Sequence, residues 1–249
     1  APLVVDVQRG VGERGDEQHG RDGREPSGSP ARNAASTIER AVRSCAGESA
    51  VPLLLINDHS TDDTVERARA ASGGHIRIVD AAAPGGVAMA RQAGLDAVET
   101  EYATWLDADD EWLPGRMPGM VAALDAGADI AVDAFELHDG ASGAWLRTLQ
   151  PPLFLQVPGG AVRLFERNWL PGDSPVGFRV SVFRDAGGYD PGVYGPESYD
   201  LLLRALARGG RVHWSHSVGY RIYAYPDSVS RNIPRQRAAV APGVNVTVV

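Results

Sequence analysis

The chain has 249 residues, 43% of them hydrophobic, which is enough to bury a sizeable core in one large domain or two small ones. Its net charge of -8 and the lack of a basic run argue against a nucleic-acid-binding surface. All 24 basic residues are arginine, so P-loop phosphate binding, Schiff-base catalysis and pyridoxal chemistry, which each need a lysine, are excluded.

Residues 1–30 form the least regular part of the sequence. Residues 3–7 are a short apolar run that predicts a strand, whereas residues 8–29 are rich in glycine and charge and predict an irregular excursion. We place residues 3–7 in a central parallel strand, because omitting it would leave unpaired backbone groups on both neighbours. The alternative is an aberrant or truncated start. Without a signal peptide or long apolar run, we expect a soluble, cytoplasmic protein with no transmembrane segment and at most peripheral membrane contact.

The next segment predicts an amphipathic helix that begins near Ala34. Ile38, Ala41, Val42 and Cys45 recur at helical spacing and share one face. Cys45 is the only cysteine of the chain, which excludes an internal disulfide. Its place on the apolar face favours a core thiol over a nucleophile.

Strands and helices then alternate with short connections. Residues 51–56 (VPLLLI) are apolar on both faces, as a central parallel strand must be when helices cover each side. The later elements are a helix from 60 or 61 to 69, a strand at 75–79, a helix at 86–98 and a strand at 102–106. This pattern predicts an α/β fold with a mostly parallel, Rossmann-like central sheet flanked by helices. Ligands of such sheets gather at the carboxyl ends of the strands.

The strand at 102–106 runs directly into an acidic stretch, LDADDEW. Asp107 and Asp109 are two residues apart, so in an extended backbone they point the same way and offer two hard oxygen ligands to a divalent cation. The alternative is that Asp109 or Asp110 caps a following helix. Asp58 also follows a strand, and carboxylates at the ends of two strands predict a shared site.

The second half of the chain is mixed. We expect a helix at 118–126, a hairpin that joins strands at 130–137 and 145–149, a helix at 197–208 and one or two strands at 212–223. The sequence after Arg235 has no strong signal.

Several segments resemble the motifs of family 2 inverting glycosyltransferases, in the order in which that family has them. They are PARNAAST (30–37), LLLINDHSTDDT (53–64), the run from 86 to 112, FRDAGGYD (183–190), GPESYDLLLRALARGG (195–210) and YRIYAYPDSVSR (220–231). The resemblance implies the glycosyltransferase A-type fold. It also implies a nucleotide-sugar donor, foremost a UDP-sugar, a hydroxyl-bearing acceptor, and a divalent metal, Mn²⁺ or Mg²⁺.

The resemblance assigns roles to individual residues. Asp109 matches the second aspartate of the family's Asp-x-Asp motif, which binds the metal on the donor diphosphate, and Asp107 matches the first, on the sugar or ribose side. Asp58 matches the acidic residue that contacts the nucleotide base, and Arg91 matches a basic position near the nucleotide-sugar. Pro30 and Asn33 belong to the first nucleotide loop. Tyr223 stands where many members have a histidine near the diphosphate.

The general base is where the sequence departs from the family. Inversion needs a carboxylate that takes the proton from the acceptor hydroxyl, and the family supplies it from the aspartate of a Glu-Asp pair. Here that pair is Glu197-Ser198, and a serine hydroxyl holds no negative charge near neutral pH. Either Glu197 or Asp200 substitutes as the catalytic residue, or turnover is impaired. The non-catalytic alternatives are that Glu197 only places a negative charge at the start of a helix and that Asp200 is only a solvated helical side chain.

The resemblance divides the chain into an irregular segment (1–30), a nucleotide-sugar-binding half (31–112), an acceptor-side half of the same domain (113–231) and a tail (232–249). The leading hypothesis is a metal-dependent inverting glycosyltransferase that acts on a glycan, lipid-linked or small acceptor. The alternative is a catalytically impaired nucleotide-sugar-binding protein of the same fold. A dinucleotide-dependent oxidoreductase is disfavoured, because no G-x-G-x-x-G turn follows a strand.

Overall fold

The computed structural model describes residues 3–6, 33–46, 52–82, 85–166, 168, 170, 174–193 and 196–225. Its strands are β1 (Leu3–Asp6), β2 (Leu53–Asn57), β3 (Ile76–Asp80), β4 (Tyr102–Leu106), β5 (Glu111–Trp112), β6 (Ile130–Asp139), β7 (Trp145–Leu149), β8 (Val176–Arg179) and β9 (Val212–Ala224). Its α-helices are α1 (Ile38–Ala46), α2 (Thr64–Ala71), α3 (Val87–Ala97), α4 (Arg116–Asp125), α5 (Val180–Asp185) and α6 (Glu197–Ala207). Two 3₁₀ helices cover Leu153–Leu155 and Gly160–Phe165.

The strands form one sheet in the order β3-β2-β1-β4-β8-β6-β9-β5, with β7 paired to β6. Strands β1 to β4 are mutually parallel, and β8 is antiparallel to both β4 and β6. Strand β1 lies between β2 and β4, which is the slot that the sequence predicted for residues 3–7. The predictions for residues 8–29 and 232–249 lie outside the described residues.

Helices cover both faces of the parallel part of the sheet. Along β2, Leu54 and Ile56 pack into the core on the side of α3, whereas Leu53 and Leu55 pack into the core formed with α1. Fully burying each such side chain stabilises the folded state by about 1.5–3 kcal/mol. The apolar run VPLLLI is therefore most stable in the middle of the sheet, where both of its faces are buried. The predicted inward face of α1, Cys45 included, is buried. The expected α/β architecture with a parallel central sheet is therefore observed.

The second half contains the predicted hairpin, in which β6 and β7 pair antiparallel. It also contains β8, which the sequence analysis missed because the strand has only four residues and includes a glycine. A Cβ added at Gly177 would lie 2.0 Å from the Met120 sulfur, so the glycine allows α4 to pack closely on β8. No helix in the described ranges is long and apolar enough to cross a membrane.

One alternative reading is excluded, and one predicted helix start is wrong. The acidic stretch leads into β5 and not into a helix, since α4 begins only at Arg116, so neither Asp109 nor Asp110 caps it. Helix α2 begins at Thr64 and not at Ser60 or Thr61. There the Asp62 carboxylate accepts a hydrogen bond from the Thr64 backbone N–H at 3.1 Å. Partial burial raises the pKa of Asp62, but hydrogen bonds of this kind outweigh burial and hold the pKa below its ordinary value.

Candidate active site

Charged side chains converge at the carboxyl ends of β2 and β4. Asp58 directly follows β2, and Asp107 directly follows β4. Because β1 pairs parallel with both strands, the two residues lie at the same edge of the sheet. This is the edge at which ligands of parallel α/β sheets bind.

Asp58 is buried and held against the start of α3. Its two carboxylate oxygens each accept a hydrogen bond from the Gly86 N–H at 3.3 Å. Gly85, with a φ of 85°, brings the backbone so close that an added Cβ would lie 2.3 Å from Asp58 Oδ1. The carboxylate is therefore fixed at the positive end of a helix, where an anion is favoured.

Asn33 joins the loop before α1 to the loop after β2. Its side-chain oxygen accepts hydrogen bonds from the Thr61 N–H at 3.0 Å and the Thr61 hydroxyl at 3.2 Å. Its backbone φ of 66° is left-handed, a conformation that asparagine tolerates better than most residues. Asn33 thus shapes the loop that borders Asp58, while Pro30 lies outside the described residues.

Asp107 is held through both its side chain and its backbone. Its Oδ1 lies 3.4 Å from Arg91 Nη2, and its Oδ2 accepts a hydrogen bond from the Ser174 hydroxyl at 2.5 Å. Its backbone N–H donates to the Tyr220 hydroxyl at 3.0 Å. Burial raises the pKa of Asp107, and the Arg91 and Ser174 contacts only partly offset this effect.

Asp109 and Asp110 face different surroundings although they are adjacent. Asp109 is half-buried, and its backbone carbonyl accepts a hydrogen bond from Arg40. Asp110 is buried, and its Oδ1 accepts a hydrogen bond from the Tyr223 N–H at 3.0 Å. Burial and the neighbouring carboxylates of Asp109 and Asp107 raise the pKa of Asp110 well above its ordinary value. Asp110 is therefore a structural anchor of the turn, and Asp109 is the more accessible carboxylate.

Arg91 connects this acidic cluster to α6. Its side chain is buried on α3, with Nη1 2.5 Å from the Ser198 hydroxyl oxygen and Nη2 directed at Asp107. Its guanidinium carbon also lies 5.8 Å from the centre of the Trp105 ring. The structure thus brings Arg91, Asp107 and Ser198, three of the predicted site residues, into one chain of contacts.

The two carboxylates that are candidates for the general base, Glu197 and Asp200, differ in their contacts. The Asp200 carboxylate accepts hydrogen bonds from Arg204 Nε at 2.9 Å and Nη2 at 2.7 Å, and Arg204 also donates to the Gly188 carbonyl. Asp200 is therefore ion-paired and not simply solvated, which favours a structural role. Glu197 is 6% exposed, and no hydrogen bond or ion pair joins its side chain to another residue that the structure describes. Of the two carboxylates, Glu197 is the one that no described side chain holds in an ion pair.

Sequence reasoning missed Ser174, Tyr220 and Arg40. Ser174 donates to Asp107 from 67 positions away, in a stretch with no periodic pattern that could have predicted the contact. Tyr220 belongs to the segment YRIYAY that resembles the family. The sequence did not predict that its hydroxyl accepts a hydrogen bond from the Asp107 N–H. Burial and the nearby carboxylates raise the pKa of Tyr220 well above its ordinary value, which keeps the hydroxyl protonated.

Comparison with known proteins identifies the family. A family model described as glycosyl transferase family 2 matches residues 29–186, which is more than half of the chain. The chain belongs to glycosyltransferase family 2. The resemblance to this family that was found in the sequence is thus confirmed.

Relatives of this glycosyltransferase chain include the succinoglycan biosynthesis proteins ExoU and ExoO of Rhizobium meliloti (strain 1021). They are 33% and 30% identical to it over 214 and 210 residues. The alignments cover 80% of this chain in both cases, and 62% of ExoU and 60% of ExoO. The chain therefore spans about three fifths of the length of these relatives.

Solved structures establish the fold of the glycosyltransferase chain. The crystal structure of S. aureus TarS 1-349 in complex with UDP-GlcNAc matches with a TM-score of 0.67 at 12% identity, over 93% of this chain and 60% of that chain. The complex of TarS 1-349 with UDP matches with a TM-score of 0.61 at 13% identity, over 91% and 61% of the two chains. The expected glycosyltransferase A-type fold is confirmed.

The carboxylates that follow β4 fit a divalent cation whose other ligands are diphosphate oxygens. Asp107 and Asp109 provide hard carboxylate oxygens, which suit Mg²⁺ and Mn²⁺. Within the described ranges, no group of three or more His, Cys, Asp or Glu side chains is arranged to hold a metal ion by itself. Mg²⁺ in proteins is commonly bound by one or two carboxylates plus the phosphate oxygens of a substrate.

Proposed function

We propose that the chain is an inverting glycosyltransferase that moves a sugar from a nucleotide-sugar donor, foremost a UDP-sugar, to a hydroxyl-bearing acceptor with the aid of Mn²⁺ or Mg²⁺. The observation that carries the proposal is the convergence of Asp58, Asp107 and Arg91 at the carboxyl edge of a glycosyltransferase A-type sheet. The TarS structures, solved with UDP-GlcNAc and with UDP, support the donor class. The names of ExoU and ExoO support a saccharide acceptor.

The residues divide the work as follows in this proposal. Asp58 binds the nucleotide base, and Asp107, oriented by Arg91 and Ser174, binds the sugar or ribose side of the donor. Asp109 holds the metal, which when bound neutralises the charge that develops on the leaving diphosphate. Arg91 adds a fixed positive charge beside the same site.

Glu197 is the proposed base. It starts α6 and is adjacent to Ser198, whose contact with Arg91 places the first turn of that helix beside Asp107. The Glu197 carboxylate takes the proton of the acceptor hydroxyl as that oxygen bonds to the anomeric carbon and the bond to the diphosphate breaks. Its side chain is one methylene longer than the aspartate that the family has one position later, and it must reach the acceptor from a position turned by about 100° around the helix axis.

One observation favours the second candidate, a nucleotide-sugar-binding protein without turnover. The hydroxyl of Ser198 occupies the base position and is bonded to Arg91 at 2.5 Å, so this position binds the arginine and supplies no carboxylate. The two candidates share the same donor site. They differ only in whether Glu197 performs the proton transfer.

A donor and acceptor screen tests the proposal. The purified chain is incubated with UDP-, GDP- and dTDP-sugars, with Mn²⁺ or with a chelator, and with a panel of saccharide and lipid-linked acceptors. We expect release of nucleoside diphosphate from a UDP-sugar that depends on Mn²⁺ and on an acceptor, and a product with inverted anomeric configuration by NMR. Metal-dependent UDP binding without turnover on any acceptor supports the binding protein instead, and no nucleotide binding contradicts both.

The nucleotide-base role of Asp58 is tested by the substitution Gly85→Ala. The added Cβ would lie 2.3 Å from Asp58 Oδ1, so the buried carboxylate must shift away from its bond to Gly86. We expect the affinity for uridine to fall about tenfold or more, since losing a charge-assisted hydrogen bond costs roughly 1.5–3 kcal/mol. Titration by NMR measures the affinity.

Gly74→Ala is the matched control for this substitution. Gly74 has nearly the same φ, 84° against 85°, but nothing lies within 4 Å of an added Cβ. In both variants the left-handed alanine reduces the free energy of unfolding by about 1–2 kcal/mol, which lowers the melting temperature. Uridine affinity that falls equally in both variants would contradict the role of Asp58.

A further inference from the structure

We infer that Arg40 is a positioning residue that fixes the acidic turn, defined here as residues 107–111, and thereby sets the affinity for a nucleoside diphosphate with its divalent cation. The inference rests on the proposed function, because it concerns the same donor site. Neither the sequence pattern nor the family resemblance singled out Arg40, which lies on α1 with 32% of its side chain exposed. Its contacts with three separate parts of the turn region carry the argument.

The first contact is with the backbone of Asp109. Nη2 of Arg40 donates a hydrogen bond to the Asp109 carbonyl, although the two residues are 69 positions apart in the chain. This carbonyl belongs to the peptide that follows the proposed metal-binding carboxylate. A rotation of that peptide would swing the Asp109 side chain relative to Asp107, so a donor that holds the carbonyl also holds the carboxylate in place.

The second contact is with Tyr223. The guanidinium carbon of Arg40 lies 3.8 Å from the centre of the Tyr223 ring, which is close stacking. Tyr223 itself holds two residues of the acidic turn, because its backbone N–H donates to Asp110 Oδ1 at 3.0 Å and its hydroxyl donates to Glu111 Oε2 at 2.8 Å. Arg40 therefore closes a ring of contacts that runs from Asp109 through the turn to Tyr223.

The third contact is with Glu111, whose Oε1 lies 3.8 Å from Arg40 Nε. This ion pair is partly exposed to solvent, with 32% of the Arg40 side chain accessible, so by itself it adds little to overall stability. A separate bond also joins α1 to β5, because the Trp112 N–H donates to the Ser44 hydroxyl at 3.0 Å. Loss of the Arg40 side chain should therefore leave α1 in place and loosen only the turn.

The geometry requires arginine specifically. One edge of the guanidinium donates to the Asp109 carbonyl while its face stacks on Tyr223. A lysine ammonium has a similar charge but no planar face, so it can satisfy one of these contacts and not both. We therefore expect Arg40→Lys to behave more like Arg40→Ala than like the unchanged chain.

Calorimetry of the full chain tests the inference, with UDP plus Mn²⁺ as one probe and uridine, which has no phosphate, as the other. We expect Arg40→Ala and Arg40→Lys to weaken Mn²⁺-dependent UDP binding about 10- to 100-fold, the range typical of residues that orient a metal ligand. The affinity for uridine should not change, since the contacts described for Arg40 are with Asp109, Tyr223 and Glu111. Melting temperatures report whether the fold is intact.

Arg43→Ala is the matched control. Arg43 lies on the same helix, and its side chain is 67% exposed and paired only with Glu39 along the helix surface. UDP affinity in Arg40→Ala equal to that in Arg43→Ala overturns the inference, and so does an equal loss of UDP and uridine binding, which indicates general loosening. Failure of the unchanged chain to bind UDP with Mn²⁺ overturns the proposed function and this inference together.

Discussion

Replacement of Glu197 by glutamine is expected to slow sugar transfer by about a hundred- to ten-thousand-fold, the contribution typical of general-base catalysis. Glutamine keeps the size of the side chain but cannot accept the proton of the acceptor hydroxyl. Because the structure gives the Glu197 side chain no hydrogen bond or ion pair among its described neighbours, the substitution breaks no described polar contact. Transfer is measured as acceptor-dependent release of nucleoside diphosphate at saturating donor.

The control for this substitution is Glu66→Gln. Glu66 also lies in the first turn of a helix, α2, but on the exposed surface. A glutamate whose only role is to complement a helix dipole contributes about 0.3–1 kcal/mol to stability, so both variants should show the same small loss of melting temperature. Only Glu197→Gln should lose turnover, while its affinity for UDP stays unchanged.

Ser198→Asp distinguishes an impaired enzyme from one with a relocated base. An aspartate at this position restores the family's residue and places a carboxylate beside Arg91 Nη1. If Glu197 acts as the base, Glu197→Gln abolishes turnover, and adding Ser198→Asp to Glu197→Gln restores it. Turnover that survives Glu197→Gln contradicts our assignment. Absence of turnover in both the unchanged chain and Ser198→Asp, with donor still bound, supports the binding protein.

The parallel half of the fold could be predicted from the sequence because its signals are local. The apolar run of β2 and the aromatic run of β4 each specify a buried strand, and the boundaries predicted for β4 are those observed. Asp58 and Asp107 could be placed at one edge because strand ends in a parallel sheet coincide. These inferences need only periodicity and topology.

The contacts that orient the site could not be predicted, because they join residues far apart in the chain. Ser174 reaches Asp107 across 67 positions, and Arg40 reaches Asp109 across 69. The acidic turn was ambiguous for another reason. Carboxylates after a strand also suit a helix start, and only the tertiary pairing of β5 with β9 excludes that reading.

Replacement of Asp109 by asparagine is expected to reduce Mn²⁺-dependent UDP binding by about a hundredfold or more while the fold stays intact. The amide is nearly isosteric with the carboxylate but lacks the negative charge that a hard divalent cation prefers in a ligand. Since the cation would draw its remaining ligands from the diphosphate, losing one carboxylate removes a large part of the metal ligands that the protein supplies. Calorimetry with UDP measures the effect, with and without Mn²⁺.

Three comparisons make the Asp109→Asn result specific. Asp63→Asn, at an exposed position just before α2, serves as a control for the same chemical change away from the site. Uridine affinity should be equal in all variants, because the proposed site for the base is Asp58 and does not involve the metal. Arg40 holds the Asp109 backbone carbonyl, which the substitution retains, so the melting temperature should stay close to that of Asp63→Asn. If Asp109→Asn binds UDP with Mn²⁺ as tightly as the unchanged chain, Asp109 is not the metal ligand and the cation must be held elsewhere.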